Sequence, residues 1–302
     1  PPIIGVACAV LKVLRQKKYI YAIFDVYPDT AERLGAIKER GLVAKTWDWW
    51  NGKILKNAAA VVVLGQEMRD IILRKGKDRS SLAGRIRLIH VWSDDRQIVP
   101  VAKNANPLRH KWNLNGRFVV SYSGNMGRFH DMETIMKAAR ELADNKDICF
   151  LFIGEGQKKK WMEEYAQRWN LTNCRFRTYV PREELGLSLA CADVGLVSLM
   201  PGQSGLSEPS KTFGILAAGV PVIAVVPSQS EIVRIVEEYG CGIIVDPNDV
   251  QNLAHSILRL HSAPDEVERL GRNAVRAVRE KYNLKHAAME YFSLIRSHQH
   301  KD

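Results

Sequence analysis

Six short runs rich in β-branched and aromatic residues constrain this chain more than any other feature. They are FVVSYSG (118–124), ICFLFIGEG (148–156), CRFRTYV (174–180), DVGLVSLM (193–200), VIAVV (222–226) and CGIIVDP (241–247). Stretches with the apolar spacing of helices lie between them, at Met132–Ala143, Lys158–Trp169, 181–192, 212–218 and 230–240. Near-continuous apolar strands joined by helical crossovers predict a parallel sheet covered on both faces. Further helices are expected over Val250–Leu260, Asp265–Tyr282 and from about Leu284.

A second, shorter alternation precedes this one. A helix over 3–16 leads to the strand YIYAIFD (19–25), which ends on Asp25. A helix over Thr46–Asn57 leads to a strand at about 59–64, a helix begins at Gln66, and IRLIHVW (86–92) reads as a third strand. NANPLRHKWNLNG (104–116) has the polar, Pro- and Gly-marked composition of a linker. The expected organisation is therefore α/β with two Rossmann-like domains. Residues 1–112 form the first, residues 113–282 the second, and residues 283–302 form a helix crossing back to the first.

Charge divides the chain unevenly. Residues 1–116 hold 21 Lys+Arg against 10 Asp+Glu, whereas residues 117–302 hold 23 of each, so the whole formal charge of +11 lies in the first part. Three tryptophans, Trp47, Trp49 and Trp50, sit in KTWDWWNGK of that basic part. A basic surface with interfacial aromatics suits an anionic membrane face, and otherwise is a solvated surface; no nucleic-acid partner is expected. The five cysteines, at 8, 149, 174, 191 and 241, have no paired metal-binding spacing and read as small core residues of a reducing compartment. No run reaches the length of a membrane span. The expected location is cytoplasmic, with peripheral attachment to the inner membrane face as an option.

Ligands of doubly wound sheets collect beyond the carboxyl ends of the strands, and three such ends here have anion-binding character. SYSGNMGRFHD supplies Gly124, Asn125, Gly127 and Arg128; FIGEGQ supplies Gly154, Glu155 and Gly156; SGLSEPSK supplies Glu208, Pro209, Ser210 and Lys211 ahead of a helix over 212–218. Glycines let backbone approach an anion, and a cation beside a helix start invites a phosphate. The spacing is not G-x-G-x-x-G, which argues against a dinucleotide fingerprint. Lys211 also has a plain reading, as an exposed lysine near an ordinary cap. His130 either reaches the ligand or is a solvent-facing cap, and His90 and Asp25 are more simply structural.

YSGNMGRFHDMETI, FLFIGEG, YVPREELGLSLACADVGLVSL, PSKTFGILAAGVPVIA and GCGIIVDPND together resemble the nucleotide-binding domain of retaining glycosyltransferases of the two-Rossmann-domain (GT-B) type, family 4. FDVYPD and AAAVVVLGQEM are similar to the later part of the first domain in members that build bacterial surface polysaccharides. The resemblance implies that an opening segment of about 90–100 residues precedes Pro1, so the acceptor-side domain is incomplete here. It implies a nucleoside-diphosphate sugar as donor, a UDP-sugar first, and a saccharide or polyprenyl-diphosphate-linked saccharide as acceptor. It implies transfer with retention, with no further cofactor and no metal.

By residue, the same resemblance places the amides of Gly124 and Gly127 toward the diphosphate, with Asn125 and Gly154 beside them. Arg128 and Lys211 neutralise the leaving diphosphate, Val180 meets the base through its backbone, and Glu208 faces the donor sugar. Ser210 either caps the 212–218 helix or donates to a phosphate. One departure stands out: the family often has two glutamates seven residues apart, and the matching positions hold Leu206 and Gly214. That leaves room for two alternatives, a non-catalytic partner in polysaccharide assembly or a sugar-nucleotide epimerase of the same fold.

Overall fold

The computed structural model describes residues 2–299; Pro1, and residues 300–302 of the expected last helix, lie outside the described residues. The chain divides into two compact units. The first comprises residues up to Val91, Gln203–Glu208 and Lys285 onward, and the second comprises Trp92–Gly202 and Pro209–Leu284.

The first unit begins with α1 (Pro2–Arg15), β1 (Ile20–Ala22), α2 (Asp29–Arg33) and α3 (Leu42–Asn57). It continues with β2 (Ala60–Val63), α4 (Gln66–Lys75), α5 (Arg79–Arg85) and β3 (Ile86–Leu88). The strands form a three-stranded parallel sheet in the order β1-β2-β3. They are shorter than the sequence predicts, and β1 stops three residues before Asp25. Val61, Val63, Met68 and Ile72 centre its core, which Leu206 joins from the 203–208 segment. Asp25 pairs by an isolated bridge with Ser207. It also lines a cavity of about 140 Å³ with Tyr21, Phe24, Tyr27, Asn51 and Lys75. His90 is satisfied locally, its Nδ1 lying 3.1 Å from the Leu64 carbonyl.

The second unit is built on α6 (Pro107–Lys111), β4 (Phe118–Ser123), α7 (Met132–Glu141), β5 (Ile148–Ile153), α8 (Lys159–Arg168) and β6 (Cys174–Arg177). Then come α9 (Leu185–Leu189), β7 (Val194–Ser198), α10 (Lys211–Ala217), β8 (Val222–Val225), α11 (Glu231–Tyr239), β9 (Gly242–Val245), α12 (Val250–His261) and α13 (Pro264–Glu280). Its six strands are all parallel, in the order β6-β5-β4-β7-β8-β9. Period-two alternation divides β4: Val120 and Tyr122 join Phe150, Phe152 and Met136 on one face. Val119 joins Leu151, Ile153 and Cys191 on the other. Helix starts follow their sequence signals, with Asp131 accepting from Thr134 N at 3.1 Å and Asp249 from Asn252 N at 3.0 Å. α14 (Leu284–Gln299) is the last described helix, and from Lys285 it belongs to the first unit.

The first boundary differs from expectation. Residues 104–116 do not form a linker; with 92–103 they belong to the second unit, which begins at Trp92. Leu108, Trp112 and Leu114 are core residues there. Buried Arg109 donates to the carbonyls of Cys191 (2.7 Å), Leu114 (3.2 Å) and Arg117 (2.7 Å), and to Asp193 Oδ2 at 3.1 Å. Four acceptors satisfy a guanidinium that would otherwise be costly to bury. No described helix is long and apolar enough to cross a membrane.

Candidate functional site

The strand order of the second unit reverses beside β4: the chain runs outward through β5 and β6, then returns to β7 on the other side. Loops leaving the two strands at such a point diverge and open a crevice. The loop 124–130 leaves β4 and the loop ahead of α10 follows β7. A bond from Met200 N to Phe129 O (2.8 Å) ties the start of one to the other.

Two glycines set how closely the β4 and β5 loops pack. Gly154 has φ +137°, and a Cβ there would stand 2.2 Å from the Gly124 carbonyl oxygen. Gly156 has φ +147°, and its Cβ would lie 2.6 Å from Met126 N. Both positions therefore exclude any side chain. Bonds from Gly124 N to Ile153 O (2.8 Å) and from Met126 N to Glu155 O (2.8 Å) lock the two loops together. This corrects one expectation: the Gly124 amide is spent within the sheet, as is that of Gly154, which donates to Arg177 O at 3.0 Å. The amides of Asn125 and Gly127 have no acceptor among the described residues.

Lys211 reaches into this cradle from the first residue of α10. Its Nζ lies 3.9 Å from the centroid of the Tyr122 ring and donates to the Tyr122 hydroxyl. That hydroxyl in turn donates to Asn125 O at 2.8 Å. The plain reading as an exposed lysine is thus excluded. Among the described residues no carboxylate pairs with Lys211, and burial alone lowers its pKa to about 7. α10 has only seven residues, so the Lys211 charge, more than the helix end, is what would attract an anion. Ser210 is exposed and makes no side-chain cap bond, which removes one of its two expected roles. Pro209 is buried, and its carbonyl accepts from Thr212 N at 3.0 Å, turning the chain into α10.

Around this centre stand residues that sequence reasoning undervalued. His130 is no solvent-facing cap. Its Nδ1 lies 2.7 Å from Ser198 O, and Lys158 Nζ donates to the His130 carbonyl at 2.8 Å. Burial first, then the nearby Lys211 charge, push its pKa down to about 4. The imidazole is therefore neutral near pH 7, with Nδ1 as donor and Nε2 as an acceptor. Tyr179 is 54% exposed, and its ring comes within 3.2 Å of the Cβ position of Gly154. Tyr122 and Tyr179 read as ordinary strand aromatics; their place immediately before Ser-Gly and just past β6 was the available signal.

The remaining predicted residues divide. Arg128 lies on the exposed side of the 124–130 loop. Val180 leaves the sheet after β6 and packs its side chain on the core with Leu187. Glu208 belongs to the 203–208 segment of the first unit and is half-buried. Gly214 is buried, and a Cβ there would meet Leu189 Cδ1 at 3.2 Å and Ile98 Cδ1 at 3.7 Å. Leu206 is a core residue of the first unit. Both positions of the missing glutamate pair thus face apolar packing.

The model of the family "Glycosyl transferases group 1" matches residues 105–277, which include the whole cradle. A probable glycosyltransferase of Pseudomonas aeruginosa, WbjE, is 30% identical over 240 residues, covering 80% of this chain and 59% of that protein. A putative colanic acid biosynthesis glycosyl transferase of Escherichia coli, WcaI, is 27% identical over 206 residues, 67% of this chain and 49% of the relative. The chain thus spans about half to three-fifths of the length of these relatives. Among solved structures, Anabaena HepE in complex with UDP superposes with a TM-score of 0.81 at 14% identity, over 98% of this chain and 77% of its own. Sucrose-phosphate synthase of Thermosynechococcus elongatus gives 0.73 at 22%, over 94% and 69%. These likenesses establish the GT-B fold for the two parallel α/β units. With a family model covering more than half of its length, the chain belongs to the group 1 glycosyl transferases.

Proposed function

We propose that this chain carries the donor site of a retaining, family 4 glycosyltransferase of bacterial surface-polysaccharide synthesis, which moves a sugar from a nucleoside diphosphate without a metal. The observation that carries this reading is Lys211, a half-buried cation with no acidic partner among the described residues, next to a glycine cradle at the switch point. A buried unpaired charge is costly, and an anionic ligand relieves that cost. A diphosphate also fits the open amides of Asn125 and Gly127. UDP is the first choice of nucleotide because HepE, of the same fold, was solved with it.

Glycosyl transfer places its burden on the β-phosphate, where negative charge grows as the anomeric bond breaks. Lys211 and Arg128 meet that charge, and the Ser210 hydroxyl donates to a phosphate oxygen. Neutral His130 offers Nε2 to a sugar hydroxyl. Tyr179 and the backbone at Val180 border the base. Retention follows if the acceptor hydroxyl approaches on the leaving-group side and gives its proton to the departing phosphate. The acceptor is a saccharide on a polyprenyl diphosphate. Exposed Val10, Leu11, Val13 and Leu14 of α1, beside Lys12 and Arg15, suit an anionic membrane face where such a lipid resides.

Calorimetric titration with UDP, GDP and ADP tests the site. One nucleotide should bind, and Arg128→Ala with Lys211→Ala should weaken it by about 100-fold or more. Absence of binding by all three would remove the diphosphate from this cradle. A pH series adds a second expectation. With its pKa lowered to about 7, Lys211 carries its proton below that pH and loses it above. Affinity for the nucleotide should therefore fall as pH rises through 7, with proton uptake on binding above it. Lys211→Arg, which keeps its charge, should flatten that limb. Leu206 and Gly214, where the family often has glutamates, are compatible with the non-catalytic alternative; failure to bind any of the three nucleotides would move that reading ahead.

A further inference from the structure

α8 and the residue that caps its C-terminal end present three aromatic rings in a row. Trp161, Tyr165 and Trp169 recur every four residues, a spacing that keeps them on one side of a helix. Ring centroids are 5.5 Å apart between Trp161 and Tyr165 and 6.3 Å between Tyr165 and Trp169, with both pairs tilted by 44°. An aromatic stripe at this spacing ordinarily faces a core. Here Met162 and Ala166 take that role and Tyr165 packs partly against the same core, while Trp161 and Trp169 are 37% and 49% exposed. The Arg140 guanidinium stands 4.3 Å from the Trp169 ring centroid and holds that indole in place. Rigid aromatic surface turned to water is a recurring mark of a binding face.

The charge around the ridge indicates what it binds. Residues 132–170 contain seven Lys+Arg and seven Asp+Glu, and much of that is paired locally. Lys159 lies 2.7 Å from Glu155 and Lys160 3.9 Å from Glu164. The excess positive charge of the chain lies in residues 1–116. This surface therefore lacks the field that would draw a nucleic acid or an anionic bilayer. An uncharged ligand with apolar faces and hydroxyl edges fits better. The C–H face of a sugar ring carries slight positive charge and packs on the negative face of an aromatic ring. Glu164 and Arg168, three residues after Trp161 and Tyr165, flank the ridge with groups that can bond hydroxyls.

Position adds a reason. Lys158, immediately before α8, bonds both Met126 O (2.9 Å) and His130 O (2.8 Å) of the cradle loop. The ridge starts three residues later and runs about 12 Å away along the helix. We propose that Trp161, Tyr165 and Trp169 form a stacking platform for an uncharged saccharide chain, on the same unit as the donor site and outside it.

The test is retention of the whole chain on immobilised uncharged oligosaccharides of three or more rings, spanning α- and β-linked glucans, mannans and galactans. Co-sedimentation with phosphatidylglycerol vesicles runs beside it. The unsubstituted chain should be retained on at least one saccharide class, and Trp161→Ala with Trp169→Ala should lower retention about tenfold or more with an unchanged circular-dichroism melt. Trp169→Leu, which keeps an apolar side chain but no ring, is the second variant should the double one misfold, and it too should lose retention. No retention on any class, or equal retention of well-folded variants, overturns the proposal. So does a loss confined to vesicle binding, which would make the ridge a lipid contact. Because nucleotide binding is not the readout, the outcome is independent of the donor site.

Discussion

Lys211→Met should melt at a higher temperature than the unsubstituted chain and yet fail to bind a nucleotide. Both effects come from the same atom. The ammonium group sits against the Tyr122 ring and hydroxyl without an acidic partner among the described residues, and its pKa is lowered to about 7 by burial. Between that value and the ordinary lysine range the unfolded chain holds a proton that the folded chain does not, so stability rises with pH through this window. Below pH 7 the folded state carries the whole penalty, on the order of a few kcal/mol. Methionine fills similar space with no charge to desolvate, so the gain should be largest below pH 7 and fade toward pH 10. On the proposed donor role, loss of this cation should weaken nucleotide binding by about 100-fold or more. A thermal melt at pH 6 and a donor titration on one preparation check the pair. A lower melting temperature would mean that Lys211 stabilises the empty fold and is a structural lysine.

Gly154→Ala is the second large effect, and it has the opposite character. The added methyl would lie 2.2 Å from the Gly124 carbonyl oxygen, at φ +137°. Neither backbone can yield without breaking the Gly124–Ile153 and Met126–Glu155 bonds that set the cradle. A cost of about 2–4 kcal/mol in stability and loss of nucleotide binding are expected. Gly52→Ala and Gly84→Ala are the controls. Both glycines lie within helices, α3 and α5, where an added Cβ meets nothing within 4 Å. They should be neutral or gain up to about 1 kcal/mol. Denaturant melts of the three variants separate a local steric clash from a general intolerance of alanine.

The second unit was legible because its strands are long apolar runs between capped helices, a local pattern that tertiary contacts do not overrule. Gly219 follows α10 in the left-handed region (φ +72°), a conformation that glycine adopts without strain. The 104–116 stretch was misread for a reason equally physical. Asn, Pro and Gly give it a linker's composition, and the partners that bury Arg109, Cys191 and Asp193, are more than 80 residues away. Distance in sequence also hid Tyr122, whose hydroxyl meets Lys211 across 89 residues. The three anion-binding loops could be named from their glycines and cations. Which amides remain open could not, because Gly124 and Gly127 look alike until the β4–β5 ladder claims one of them.

The division of the chain has a bearing on its synthesis. Four crossings, after Val91, Gly202, Glu208 and Leu284, interleave the two units along the polypeptide. A ribosome delivers the chain from one end, so the first unit stays unfinished until its last helix emerges, after the entire second unit has been made. Leu206, which shares a core with Val61 and Val63, likewise arrives only once the Gln203–Glu208 segment is made. The second unit can fold as it leaves the tunnel, while the apolar strands of the first remain exposed for most of translation. Early release, rather than any single substitution, is then the event most apt to send this chain into aggregates.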